Sequence, residues 1–235
     1  DLLHEHIARV MKHYAGSVFA WDVINEALDE QGKPRDSIWF NQPGIGFSGQ
    51  GTAYIEQAFR WAHEADPKAL LLYNEAEGEV LNLKSDAIYA MLKDFKRRGV
   101  PVDGVGLQMH IPTLGGDIGA VGARISANIA RLAALGLQVH ITELDVSLPI
   151  DSTGSARLED LSRQADFYRA IVRACLNNPG CTAIQTWGFT DKYSWIGSHS
   201  HGARGQALLF DRQYNIKPAY TAVREELSAG RPSSR

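Results

Sequence analysis

Apolar residues recur at helical spacing in six stretches of the chain, and five short apolar blocks lie between them. Leu3, Ile7, Val10 and Tyr14 predict an amphipathic helix over about the first fourteen residues. Further helical faces come from Ile55, Ala58, Phe59 and Ala62, from Ile88, Met91, Leu92 and Phe95, and from Ile125, Ile129 and Leu132. Leu158, Leu161, Ala165, Tyr168 and Val172 mark a fifth, and residues 218–227 a last one. Gly16, Gly99 and Gly136 end three of these patterns, and Asp66-Pro67 closes another. The blocks at 18–24, 69–73, 102–109, 139–146 and 182–189 are rich in β-branched and aromatic residues. They read as strands buried on both faces, and helices alternating with such strands predict a parallel sheet covered by helices. The segment 29–50 holds six residues that are glycine or proline and reads as a long loop.

Composition narrows the classes. The 235 residues are 44% hydrophobic and 22% charged, enough for a sizeable core. A net charge of -3 gives no polybasic signature, so neither nucleic acid nor an anionic membrane is expected as a partner. No apolar run approaches a membrane span, and the opening residues lack the basic start and apolar stretch of a signal peptide. Two cysteines exclude a four-cysteine zinc site. No histidine pair has the His-Glu-x-x-His spacing, so neither a metal nor another cofactor is expected.

Polar residues gather where the predicted strands end. The first strand runs into Asn25-Glu26, the second into Asn74-Glu75, the third into Gln108-Met109-His110 and the fourth into Glu143-Leu144-Asp145. The fifth carries Trp187 and runs into Asp191-Lys192, with Tyr193 and Trp195 just beyond. Carboxyl ends of parallel strands are where α/β folds bind and transform ligands. Two glutamates at such ends suit glycoside hydrolysis, in which one carboxyl protonates the leaving oxygen and the other attacks the sugar or activates water. Rim aromatics suit stacking on sugar rings. A lone strand-end carboxylate is more often a helix cap, a lone tryptophan more often packing, and a lone histidine more often a satisfied core residue.

The segments 21–28 (WDVINEAL) and 139–146 (VHITELDV) resemble the acid/base and nucleophile signatures of glycoside hydrolase family 10, the endo-1,4-β-xylanases. Residues 103–111 (DGVGLQMHI), 186–195 (TWGFTDKYSW), 208–211 (LLFD) and 217–220 (KPAY) resemble further segments of that family in the same order. The resemblance implies a TIM (β/α)8 barrel. Five predicted strands make the chain a partial barrel with about five of the eight, residues 1–229 forming the catalytic domain and 230–235 a tail or linker start.

By similarity, Glu26 is the general acid/base and Glu143 the nucleophile of a retaining endo-1,4-β-xylanase, a mechanism needing the carboxyls about 5–5.5 Å apart. His110 and Asp145 are implied as catalytic support, His110 bonding the nucleophile and Asp145 orienting it. Asn25, Asn74, Gln108, Trp187 and Trp195 are implied as substrate-binding. The implied partner is xylan or xylo-oligosaccharide, handled by a protein that is a monomer when complete and is secreted or periplasmic, since the polymer cannot enter a cell. The alternatives are a related retaining β-glycanase or aryl-β-glycosidase, and an inactive fragment that only binds carbohydrate. In some family members two cysteines placed like Cys175 and Cys181 form a disulfide; two buried thiols are the other reading. The chain departs from the family where the common Tyr-Asn-Asp-Tyr-Asn reads Tyr73-Asn74-Glu75-Ala76-Glu77. An aromatic platform on the leaving-group side is therefore expected to be missing. A five-stranded arc with two unpaired edges is expected to be unstable or inactive alone.

Overall fold

The computed structural model describes residues 2–113 and 116–229. The tail expected at 230–235 lies outside the described residues. The order of elements is α1 (Leu2–His13), β1 (Ala20–Asn25), α2 (Ala53–Ala65), β2 (Leu70–Glu75), α3 (Leu83–Arg97), β3 (Gly104–Leu107), β4 (His110–Pro112), α4 (Ile118–Ala133), β5 (Gln138–Pro149), α5 (Leu158–Leu176), β6 (Cys181–Thr186), α6 (Ile196–His199), β7 (Arg204–Gly205) and α7 (Pro218–Ala229). The chain divides into two compact units, one running to Leu107 and taking in Arg131–His140, the other comprising Gln108–Ala130 and the chain from Ile141 onward.

In the first unit β1 pairs in parallel with β2, and β2 with β3. The β1–β2 register shifts between Asp22 and Ile24, which sets Asn25 opposite Asn74 at the carboxyl ends. From Leu71 to Glu75 every residue of β2 is buried, as expected for a strand with a neighbour on each side. Asp103 ties the other end together: its carboxylate accepts from Leu71 N (3.0 Å) and its carbonyl from Gln138 N (2.9 Å). α3 begins with a capping box in which Asn82 accepts from Ser85 N (2.7 Å) and Ser85 Oγ accepts from Asn82 N (2.9 Å).

In the second unit β4 and β5 run parallel, with His110 opposite Asp145. β6 pairs with β5, and β7 pairs antiparallel with its far end. Tyr168 and Gln164, both fully buried on α5, reach over to carbonyls of β5 and of the loop after β7: Tyr168 Oη donates to Ala207 O (2.8 Å), and Gln164 Nε2 to Val146 O and Gln206 O (2.6 Å each).

Several sequence expectations are corrected. Met11, not Tyr14, completes the buried face of α1, because Leu3, Ile7 and Met11 keep the four-residue spacing while Tyr14 lies beyond the helix end, 48% exposed. Leu158 is exposed, since it opens α5 before the buried face begins. The strand expected at 102–109 covers only Gly104–Leu107, and a separate strand starts at His110, the chain passing between them through Met109 at φ +71. β1 and β6 are half-exposed rather than buried on both faces; among the described residues β1 pairs with β2. The loop 29–50 is irregular, as expected, and Phe40 anchors it by ring contact with Tyr54 at 5.4 Å.

Gly104 marks a tight approach within the first unit's strands. A Cβ there would sit 2.7 Å from Gln138 O and 3.4 Å from Leu72 Cγ. Gly104→Ala is expected to cost about 1–3 kcal/mol by forcing backbone apart, read as a shift in the denaturant midpoint. Gly136→Ala, where nothing lies within 4 Å but φ is +75, serves as the comparison for backbone strain alone.

Candidate active site

In the first unit, the chain leaves β1 through Glu26, which has φ +53 and an exposed side chain. A non-glycine residue with that backbone is held there by its surroundings. Its amide donates to Asn74 O (3.0 Å), and Asn74 Nδ2 donates to Asn25 Oδ1 (2.9 Å). Asn25 and Glu26 are thus fixed from below by β2. Asn74 itself is buried, while Asn25 is exposed.

In the sequence Glu75 is one of the polar residues at the end of the second strand, next to the departure at Ala76 and Glu77. It is a fully buried carboxylate with its own network. Oε2 accepts from Tyr73 Oη (2.6 Å) and from Leu28 N (3.1 Å), and Oε1 accepts from Ala76 N (3.2 Å) and faces Lys84 Nζ at 3.0 Å. Lys84 is 2% exposed although it is the second residue of α3, a place where the helix dipole disfavours a cation. Burial and the Glu75 charge push the Tyr54 hydroxyl up to about 12 and the Tyr73 hydroxyl well above its ordinary range.

In the second unit, His110 stands between two carboxylates. Nδ1 lies 2.9 Å from Asp145 Oδ2 and Nε2 lies 3.2 Å from Glu143 Oε2. Trp195 Nε1 donates to the same Asp145 oxygen at 2.9 Å, and its ring meets the imidazole edge-on at 4.9 Å. Both neighbours of the imidazole are acceptors, so only the imidazolium donates to both. Burial works against that charge, but Asp145 and Glu143 outweigh it and the pKa of His110 is raised. Gln108 is buried, and its carbonyl accepts from Glu143 N (3.0 Å), fixing the backbone of the strand-end glutamate. Trp187 is 51% exposed at the end of β6, with its amide on Leu144 O (3.2 Å).

The loops around these tryptophans hang on a second buried pair. Lys217 Nζ donates to Asp191 Oδ2 (2.9 Å) and to Leu208 O (2.8 Å), and Asp191 Oδ1 accepts from Leu208 N (2.8 Å). Burial pushes the Asp191 carboxyl up and the Lys217 ammonium down. Beside it, Lys192 lies over the rings of Tyr193 and Tyr214, at 5.3 and 5.2 Å, and Phe189 stacks on Tyr214 at 6.0 Å. Cys175 and Cys181 are joined in a disulfide with Cα atoms 5.2 Å apart, closing the connection from α5 to β6. No group of three or more potential metal-binding side chains occurs among the described residues.

The model of glycosyl hydrolase family 10 matches residues 1–226. The chain belongs to that family. It is 44% identical over 225 residues to endo-1,4-beta-xylanase B of Thermotoga neapolitana, covering 96% of this chain and 61% of the relative. It is 37% identical to endo-1,4-beta-xylanase D of Talaromyces funiculosus, covering 97% of this chain and 52% of that protein. The chain therefore spans roughly half to three-fifths of the length of these curated relatives. Among solved structures, xylanase 10B of Thermotoga maritima superposes with a TM-score of 0.86 at 44% identity, covering 97% of this chain and 67% of that one. Xylanase 10B of Thermotoga petrophila, solved with xylobiose, gives 0.86 at 44% identity over 96% of this chain and 64% of that chain. The family's fold is the (β/α)8 barrel, of which the helix–strand alternation here represents a part.

Two outcomes follow from these buried contacts. Lys217→Met strands a buried Asp191 carboxylate and the Leu208 carbonyl, and is expected to cost about 3–5 kcal/mol in equilibrium unfolding. His110 has a higher pKa folded than unfolded. Its stabilising contribution is complete below the unfolded value, about 6.5, and is lost as pH rises through the raised folded value. Unfolding free energies of the wild type should therefore fall across that window relative to those of His110→Asn.

Proposed function

We propose that the protein is a retaining endo-1,4-β-xylanase acting on xylan and xylo-oligosaccharides, with residues 1–229 as its catalytic domain. Glu143 is the nucleophile and Glu26 the general acid/base. The observation that carries this reading is the hydrogen-bonded chain from Trp195 through Asp145 and His110 to Glu143. The imidazole on one carboxylate oxygen holds Glu143 turned in one direction, which an attacking carboxylate requires. Trp195, tied to Asp145, sets the orientation of the imidazole as well as offering its ring to a sugar.

In the first step Glu143 attacks the anomeric carbon while Glu26 gives its proton to the departing oxygen. In the second, Glu26 takes a proton from water, which displaces Glu143 from the same carbon. Asn25 stands beside the acid/base as the residue to contact a sugar hydroxyl, and exposed Trp187 provides an apolar wall. Asn74 and Gln108 are buried, so their part is to hold Asn25 and Glu143 as much as to meet substrate. Ala76 follows Glu75 where the family pattern has an aromatic, which supports a weakened leaving-group platform.

The disulfide and a polymeric substrate both support export to an oxidising compartment. No helix among the described residues is long and apolar enough to cross a membrane. Reducing-sugar release from xylan tests the assignment. Glu143→Ala is expected to fall below detection, and Glu26→Ala by about 10²–10⁴-fold; wild-type rates in Glu143→Ala would overturn it.

A further inference from the structure

The three amides that follow β1 are all received by consecutive residues of β2. Glu26 N donates to Asn74 O, the backbone of Ala27 hydrogen-bonds the Tyr73 hydroxyl, and Leu28 N donates to Glu75 Oε2. Two of the three acceptors depend on one carboxylate, because Tyr73 Oη is itself held by Glu75 at 2.6 Å. Beyond Leu28 the chain turns back: Arg35 N donates to Ala27 O (2.8 Å) and Arg35 Nε to Leu28 O (2.8 Å). The segment carrying Glu26 is thereby gripped on both sides.

The grip has a reason to be strong. Glu26 sits in the left-handed region, where a residue with a Cβ persists only if neighbouring contacts determine it. A charged acceptor makes a stronger bond to a backbone amide than a neutral one. A fully buried carboxylate is tolerable only with a cation beside it, which Lys84 supplies at 3.0 Å. Lys84 stands at a helix start and inside the protein, against both local rules for a lysine. Its second carboxylate neighbour, Glu77, is 4.0 Å away and largely exposed. Glu75 is 0% and Lys84 2% exposed, so neither presents a surface to substrate.

We infer that the buried Glu75–Lys84 pair is a positioning device for the acid/base: by holding the Leu28 amide and the Tyr73 hydroxyl, it sets the backbone from which the Glu26 carboxyl is presented to the leaving oxygen. This rests on the reading of Glu26 as the proton donor.

The test uses two substrates that differ in their need for that proton: xylotriose, whose sugar leaving group must be protonated, and 2,4-dinitrophenyl xylobioside, whose leaving group departs as an anion. In Glu75→Gln, kcat/KM on xylotriose should fall about 10–100-fold, a part of the roughly 10²–10⁴-fold that a positioned proton donor supplies. The aryl substrate should change less than about threefold, because the nucleophile's step is intact. Lys84→Met should show the same split. Equal losses on both substrates, or no loss on either, would overturn the inference. Glu26→Ala separates the two claims. A selective loss there with a uniform one in Glu75→Gln strikes the positioning role alone, whereas no selectivity in Glu26→Ala strikes the acid/base reading itself. Hydrogen exchange adds a readout independent of turnover: the Leu28 amide should exchange about tenfold or more faster in Glu75→Gln, as a charge-assisted bond becomes a neutral one, with the β2 amides unchanged. Unchanged protection at Leu28 would also overturn it.

Discussion

Buried lysine–carboxylate pairs are the constraint on which the strand-end loops depend. Loops at the carboxyl ends of parallel strands carry unpaired backbone groups into the interior, and each must find a partner. In one unit Glu75 receives the amides of Leu28 and Ala76; in the other Asp191 receives Leu208 N while Lys217 donates to the Leu208 carbonyl. The charges make these bonds strong and directional, and each pair neutralises itself. Such pairs are poor investments in net stability, since desolvation consumes most of the attraction. What they supply is one geometry for a loop that would otherwise have several.

Catalytic chemistry of this kind needs that geometry. A nucleophilic carboxylate and a proton-donating one are chemically the same group, and surroundings alone make them different. Glu143 lies within a long strand, mostly buried, against an imidazole whose own orientation is held by Asp145 and Trp195. Glu26 stands exposed after the end of its strand, on a backbone that would relax without β2 beneath it. The same fold thus offers one carboxyl an oriented imidazole as hydrogen-bond partner and holds the other on a clamped backbone.

Much of this was legible beforehand. Helical spacing located α2, α3, α4 and α5 because their buried faces keep the three-and-four period, and the apolar blocks located the main strands. The ordered motifs named Glu26, Glu143, His110 and Asp145, and the last three meet within hydrogen-bonding distance inside one unit. The errors were at ends and edges. Tyr14 and Leu158 fit a periodic pattern but lie where the helix has stopped or has only begun to be covered. β1 and β6 have the composition of central strands and yet are half-exposed. Met109 in a left-handed turn gives no sequence signal, since nothing about methionine favours that backbone.

The sequence by itself determined the order of helices and strands, the placing of polar residues at strand ends, and the family to which those motifs belong, because each is written in local spacing. Tertiary structure alone decided the work of Glu75, Lys84, Asp191 and Lys217, and the tie from Trp195 to Asp145. These residues are separated by between 9 and 50 positions in the chain. A buried charge is recognisable only when its partner is seen beside it, and no local pattern reports which distant residue will neutralise it.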